Sequence, residues 1–344
     1  MTTNVRASRP KGDAKIARAF HARLARWYAA HHRDLPWRRE PTPYRVTVSE
    51  FMCQQTQIAT VLPYYARWMN RFPDWRALAA ADADAVLKHW EGLGYYHRAR
   101  NLHRLARLIV SERGGELPAD NRALRQLPGI GPYIAAAIAS IVSGERVAAL
   151  DGNVERVLTR VFALPWDVTL PLTKQRLRQL ATELLPAQNC GDHNQAMMEL
   201  GALVCTPRHP QCRRCPLTVI CRGKTRPEQF PVKTRPLTVR EQQTIAVITS
   251  GGKIWLLNPG EPGRWHGFHR LPLLEETCMT RIAPLTVIRY SITRYRVTAA
   301  AVSAKFTRAA PDHGGWLPLS ALEKISLPAP HRKILATVHP VISI

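Results

Sequence analysis

The sequence predicts a multi-domain chain: an all-α part closed by a basic, cysteine-rich loop, then a smaller α+β domain. Three observations carry this prediction. Helical periodicity, punctuated at short intervals by Pro and Gly, runs to about residue 204 without useful strand-like alternation. Cys205, Cys212, Cys215 and Cys221 then fall in one stretch, separated by six, two and five residues. Beyond a connection rich in Pro and charge, the pattern turns β-like. The expected boundaries are a disordered N-terminus (1–13), a helical domain (14–222), a linker (223–240) and a C-terminal domain (241–344).

A first amphipathic helix starts at Asp13, with Ile16, Phe20, Leu24 and Trp27 on one face and Lys15, Arg18, Arg23 and Arg26 largely outside it. Leu127-Pro-Gly-Ile-Gly-Pro-Tyr-Ile predicts a glycine turn between two helices. Gly129 and Gly131 let the backbone approach a ligand, and Pro132 suits the first turn of the second helix. Amides at such a helix start suit a phosphate. Asp151, in Leu150-Asp-Gly-Asn-Val, fits the N-cap of a helix beginning near Val154. In the C-terminal domain, Thr244–Thr249, a Ser-Gly-Gly-Lys turn and Ile254–Leu257 predict a hairpin, and Arg289–Val302 is a second β-rich run.

The four cysteines suit either a structural zinc or an iron–sulfur cluster. Seven cysteines, an odd number, with no secretory leader evident argue against a disulfide framework. No acid lies between Gly201 and Pro227, while Arg208, Arg213, Arg214, Arg222, Lys224 and Arg226 do, so the loop offers phosphates a basic surface. A net charge of +24 over 344 residues points to a polyanionic partner, nucleic acid first. The longest apolar run, Ile134 to Val142, is far short of a spanning helix, so a membrane partner is not expected. The expected location is the cytoplasm, associated with the nucleoid, and the expected state a monomer.

Together, the hairpin, the aspartate about twenty residues beyond it and the cysteine spacing resemble the helix–hairpin–helix DNA glycosylases with an iron–sulfur loop, the superfamily of endonuclease III. Val48-Ser-Glu-Phe-Met-Cys-Gln-Gln-Thr-Gln, Leu35-Pro-Trp-Arg, Gly92-Leu-Gly-Tyr-Tyr and Asn194-Gln-Ala-Met-Met-Glu-Leu-Gly-Ala narrow the resemblance to the adenine DNA glycosylases of the MutY type. It runs from about Leu35 to Cys221. The resemblance implies a [4Fe–4S] cluster on the four cysteines. It implies Glu50 and Asp151 as the catalytic carboxylates, with Tyr133 and Asn153 orienting them. It also implies duplex DNA with adenine opposite 8-oxoguanine or guanine as substrate, and Gln54, Gln55, Tyr95, Gly129 and Gly131 on the DNA. Tyr133 stands where bifunctional relatives carry a lysine, so imine chemistry is not expected.

The reaction supports the match. Adenine leaves readily only when protonated, and the sugar develops oxocarbenium character, so one carboxylic acid and one carboxylate are needed. Glu50, beside Val48, Phe51 and Met52, suits the acid, and Asp151 at a helix N-terminus suits the anion. The C-terminal domain resembles the family's Nudix-like module through Gly263-Arg-Trp-His-Gly-Phe, without the metal box of true Nudix hydrolases. Its lesion-reading turn aligns with Ile292-Thr-Arg, giving Thr293 and Arg294 as contacts, with Arg294 in place of a histidine. Two other readings stay open: a G:T mismatch thymine DNA glycosylase of the same superfamily, and a catalytically silent DNA-damage-binding protein. The Nudix-like module argues against the first and the two carboxylates against the second.

Overall fold

The structure, a computed structural model, describes residues 13–234, 237–276 and 278–338, so the expectation for the N-terminus up to residue 12 lies outside the described residues. The chain divides into two compact units. The first comprises the residues up to Ala80 together with Asn101–Thr234; the second comprises Ala81–Arg100 together with the residues from 235 onward.

The helices are α1 (Asp13–His31), α2 (Pro36–Arg39), α3 (Pro43–Cys53), α4 (Ile58–Arg71), α5 (Trp75–Ala79), α6 (Ala83–Trp90), α7 (His97–Arg113), α8 (Asn121–Leu124), α9 (Pro132–Val142), α10 (Gly152–Val161), α11 (Pro171–Glu183) and α12 (Cys190–Leu203). Of the stripe expected on α1, Phe20, Leu24 and Trp27 are buried against Val154, Val157 and Leu158 of α10 and Met197 and Leu200 of α12. The side chain of Ile16 lies outside the described residues. The alanine-rich run is the heart of the first unit: Ile134 to Ser140 are all buried, as befits a helix apolar on every side. Small side chains let α3 and α12 pack against α9. On α12, a Cβ at Gly191 would meet the Ser140 carbonyl oxygen at 2.6 Å, so that approach requires glycine.

Two stretches depart from the sequence expectation. Residues 223–234, read as linker, lie against α10. Arg160 Nε donates to the carbonyls of Pro227 (2.9 Å) and Phe230 (3.0 Å), Gly223 N donates to Arg160 O (2.9 Å), and Val168 N donates to Val232 O (3.1 Å). A buried guanidinium has five donors to satisfy, and this strap supplies the carbonyls. Residues 81–100, read as part of the helical domain, pack with the C-terminal residues; Glu91, for instance, pairs with Arg332.

The second unit holds two three-stranded sheets: β1 (Val239–Val247), β5 (Tyr295–Phe306) and β4 (Met279–Ile292) in the order β1-β5-β4, and β2 (Thr249–Ser250), β3 (Lys253–Leu257) and β6 (Gly314–Pro318) in the order β2-β3-β6. The Gly251-Gly252 turn, both residues at positive φ, joins β2 to β3 as the hairpin signal predicts. β1, however, pairs in parallel with β5. The second β-rich run is the β4–β5 hairpin, turning at Thr293-Arg294. Helix α13 (Ala329–Val338) packs on β4, and Ile334 and Leu335 join Ile288, Ala299 and Ala301 in the core.

Candidate active site

Thr42 caps α3, its side chain accepting from Arg45 N, and Pro43 opens the helix. Val46, Glu50 and Cys53 then share one face at the spacing of successive turns, and this face lines a cavity of about 500 Å³. Gln195, Met198, Glu199 and Ala202 of α12 line it at the same spacing, with Arg33, Trp37, Arg38, Tyr133, Asp151 and Asn153. The four side chains expected to carry catalysis therefore meet in one cavity, large enough for a nucleobase.

Two carboxyls here have different surroundings. Glu50 is buried, and burial pushes its carboxyl up to about 7; the Tyr133 hydrogen bond and the Arg38 charge oppose the rise, and the Asp151 charge adds to it. Tyr133 is pushed well above its ordinary range by burial and by both carboxylates, so it remains a hydroxyl donor. That hydroxyl also lies 3.1 Å from Met198 Sδ, but a carboxyl oxygen is much the better acceptor. Asp151 is raised by burial too, against hydrogen bonds to its charged form. As the N-cap of α10 it accepts from Val154 N at 2.7 Å and from Asn153 Nδ2 at 2.7 Å, and Arg156 lowers it further. Hydrogen bonds to the charged form favour that form, so the capping donors oppose in Asp151 the rise that burial gives both carboxyls.

The sequence reading missed the supports of this pair. Glu199 is 1% exposed. Burial alone would raise it, but hydrogen bonds from Arg33 and Arg38 hold it down at about 2. Arg33 reaches it through Nε and Nη2, both at 2.8 Å, and Arg38 through Nη2 at 2.9 Å. Behind Asn153, Arg156 donates to Asn153 Oδ1 (2.7 Å), to Gly201 O (2.8 Å) and to Cys205 O (2.7 Å). A Cβ at Gly201 would meet Asn153 Cβ at 2.6 Å. Gly201→Ala should therefore displace Asn153 and cost about 1–3 kcal/mol of stability. Thermal melting and the single-turnover rate should fall together, and an unchanged rate would mean that Asn153 does not orient Asp151.

Cys205, Cys212, Cys215 and Cys221 line one small cavity, and Cys205, Cys215 and Cys221 pack against the α10–α12 core. None of the four is in a disulfide. Burial, and then the neighbouring sulfurs, push Cys215 up to about 12. Arg160 Nη1 donates to Cys205 Sγ at 3.4 Å. Among the described residues, no three metal-binding side chains are grouped to hold a single ion.

The hairpin forms as expected. Gly129 has φ +74, and a Cβ there would strike Asn101 and Phe51, so both conformation and space require glycine. Gly131 is the N-cap of α9 with open space before it. Gln54 is the C-cap of α3, and neither it nor Gln55 is among the cavity-lining residues. Gln55, Tyr95 and Thr293 share an uncommon feature, positive φ (55°, 48° and 49°) without being glycine. Such backbone costs of order 1 kcal/mol or more and gathers at functional sites. Tyr95, Thr293 and Arg294 belong to the second unit. Arg98, near the start of α7, is 2% exposed.

Residues 48–186 match the HhH-GPD superfamily of base excision DNA repair proteins. The human adenine DNA glycosylase is 46% identical over 226 residues, 63% of this chain and 41% of that protein. The adenine DNA glycosylase of Buchnera aphidicola (Schizaphis graminum) is 34% identical over 257 residues, 74% of each chain. The chain belongs to the adenine DNA glycosylase family. It spans less than half the length of the mammalian members of that family. Its fold is also similar to a thermostable thymine-DNA glycosylase (TM-score 0.57, 26% identity, 62% of this chain and 99% of that one). A non-covalent endonuclease III–DNA complex shares the fold (TM-score 0.54, 23% identity, 62% and 96%).

Proposed function

We propose that this protein hydrolyses the N-glycosidic bond of adenine mispaired with 8-oxoguanine or guanine in duplex DNA. The observation that carries the reading is the pair of unlike carboxyls in one cavity, Glu50 raised to about 7 and Asp151 held by two N–H donors at 2.7 Å. An adenine taken out of the stack enters the cavity. Glu50 gives its proton to the leaving base, with Tyr133 fixing the carboxyl, and Asp151 faces the developing oxocarbenium ion. Tyr133 has no amine, so the enzyme is monofunctional. The Gly129–Gly131 turn and the N-terminus of α9 suit a DNA phosphate. The second unit is the Nudix-like reader of the base opposite adenine, through Thr293 and Arg294.

The cysteine cavity fits a [4Fe–4S] cluster: four sulfurs line one apolar pocket, with Arg160 against Cys205. A bound cluster supplies a covalent tie across Cys205–Cys221. Purified protein should contain about four irons. Metal analysis finding one zinc and no iron contradicts that assignment.

The function is tested by excision from duplexes with adenine or thymine opposite guanine or 8-oxoguanine. Release of free adenine, fastest opposite 8-oxoguanine, is expected. Release of thymine instead, or of neither base, contradicts the proposal.

A further inference from the structure

The loop between α6 and α7 is bent into an uncommon shape. Gly92 and Gly94 take φ of 102° and 69°, and Tyr95 follows at 48° with its side chain 37% exposed. The family resemblance puts Tyr95 on the DNA, and its exposed ring offers a base a face to stack on. Its near side is locked from within the loop. Arg98 Nη2 donates to Leu93 O and Gly94 O, both at 3.0 Å, and its guanidinium carbon lies 5.5 Å from the Tyr95 ring centroid. Trp90 Nε1 donates to Gly94 O at 3.1 Å.

The other supports come from more than 160 residues along the chain, within the same unit. The Tyr96 ring meets Phe268 edge-on, centroids 4.4 Å apart. Arg100 Nη1 donates to His266 O at 3.0 Å. Gly267, between those residues, has φ 88°, and a Cβ there would meet Arg100 Nη1 at 2.9 Å. Before the loop, Glu91 pairs with Arg332 of α13. The strained residue is thus gripped on both flanks, at position 91 and at positions 96 and 100.

We propose that the His266–Phe268 corner, together with Arg332, positions the Tyr95 ring for stacking on a base of the bound duplex. This rests on the DNA reading above and gives the C-terminal residues a second task besides reading the base opposite adenine. These are positioning residues: they touch the loop, and the loop presents the ring. An unsupported loop has many shapes available, and only a fraction of them present Tyr95 for stacking, so losing the supports weakens binding in proportion.

A double-mutant cycle in the full-length chain tests this. The readouts are affinity for a duplex with adenine opposite 8-oxoguanine, and the fluorescence of 2-aminopurine next to the mispair, which rises as that base unstacks. Phe268→Ala should weaken binding about three- to tenfold, the scale of one lost aromatic pair, and reduce the fluorescence rise. Phe268→Tyr, which keeps the ring, should restore both. In a Tyr95→Ala background, Phe268→Ala should change either readout less than about twofold, because its effect passes through the missing ring. If Phe268→Ala melts the unit by circular dichroism, Gly267→Ala replaces it in the cycle, since it displaces Arg100 and leaves the core ring in place. Equal effects with and without Tyr95, or no effect from either corner variant, overturn the proposal. Adenine release by the unmodified chain from the same duplex separates this failure from failure of the glycosylase reading.

Discussion

Glu50→Gln should lower single-turnover adenine release by about 10²–10⁴ while mispair binding is retained. The amide keeps the size of the side chain but has no proton to give to the leaving base. The same substitution reports on stability with an opposite sign. Burial raises Glu50 from its ordinary value of 4.5 to about 7, so the folded protein prefers the neutral acid. Stability attached to that group is fully present below pH 4.5 and is lost as pH rises through about 7. Glu50→Gln removes the titration. It should therefore raise the melting temperature relative to the unmodified chain at pH 8 more than at pH 5, the mark of an activity–stability trade-off at a catalytic site. Near-normal turnover, or a melting difference independent of pH, would mean that Glu50 is not the buried acid.

Asp151→Asn should cost a similar factor in rate and little stability. Asparagine caps a helix about as well as aspartate, so the bond from Val154 N can persist. What disappears is the negative charge facing the sugar as it becomes cationic. The substitution also disturbs a chain of donors, because Asn153 Nδ2 would then face either an oxygen or an amide nitrogen. Rate and DNA affinity measured on one preparation separate these effects. Loss of affinity in step with rate would mean that Asp151 holds the fold or the DNA rather than the developing charge.

The parts of the site that lie close together in sequence were the legible ones. Asp151 reads as an N-cap from its Asp-Gly-Asn-Val context and is one. The glycine turn at 129–131 reads as a hairpin from its Gly-x-Gly-Pro pattern, and Gly129 and Pro132 have local geometric reasons to be there. The cysteines announce themselves by spacing. Resemblance to a family singled out Glu50, since a glutamate in the middle of a helix is otherwise an ordinary surface residue. Glu199 shows what stayed hidden. Its partners Arg33 and Arg38 lie more than 160 residues away, and nothing in a single sequence pairs them. Nor does the sequence mark Arg98 as buried: helical arginines usually face water, whereas here the guanidinium is consumed by loop carbonyls. The 223–234 strap was misread for a similar reason: Pro and charge mark a linker only where no buried donor such as Arg160 needs its carbonyls. The grouping of residues 81–100 with the C-terminal residues is a long-range packing outcome without a local signature.

The central claim is that Glu50 acts as a neutral acid while Asp151, in the same cavity, stays ionised. It is tested most directly by the pH dependence of single-turnover adenine release from a duplex with adenine opposite 8-oxoguanine. A rate that falls roughly tenfold per unit above about pH 7, because the protonated fraction of Glu50 falls in that proportion, and that falls again at low pH as Asp151 takes up a proton, is the predicted result. A rate that stays flat through pH 9, or rises with pH above about 7, would contradict the claim.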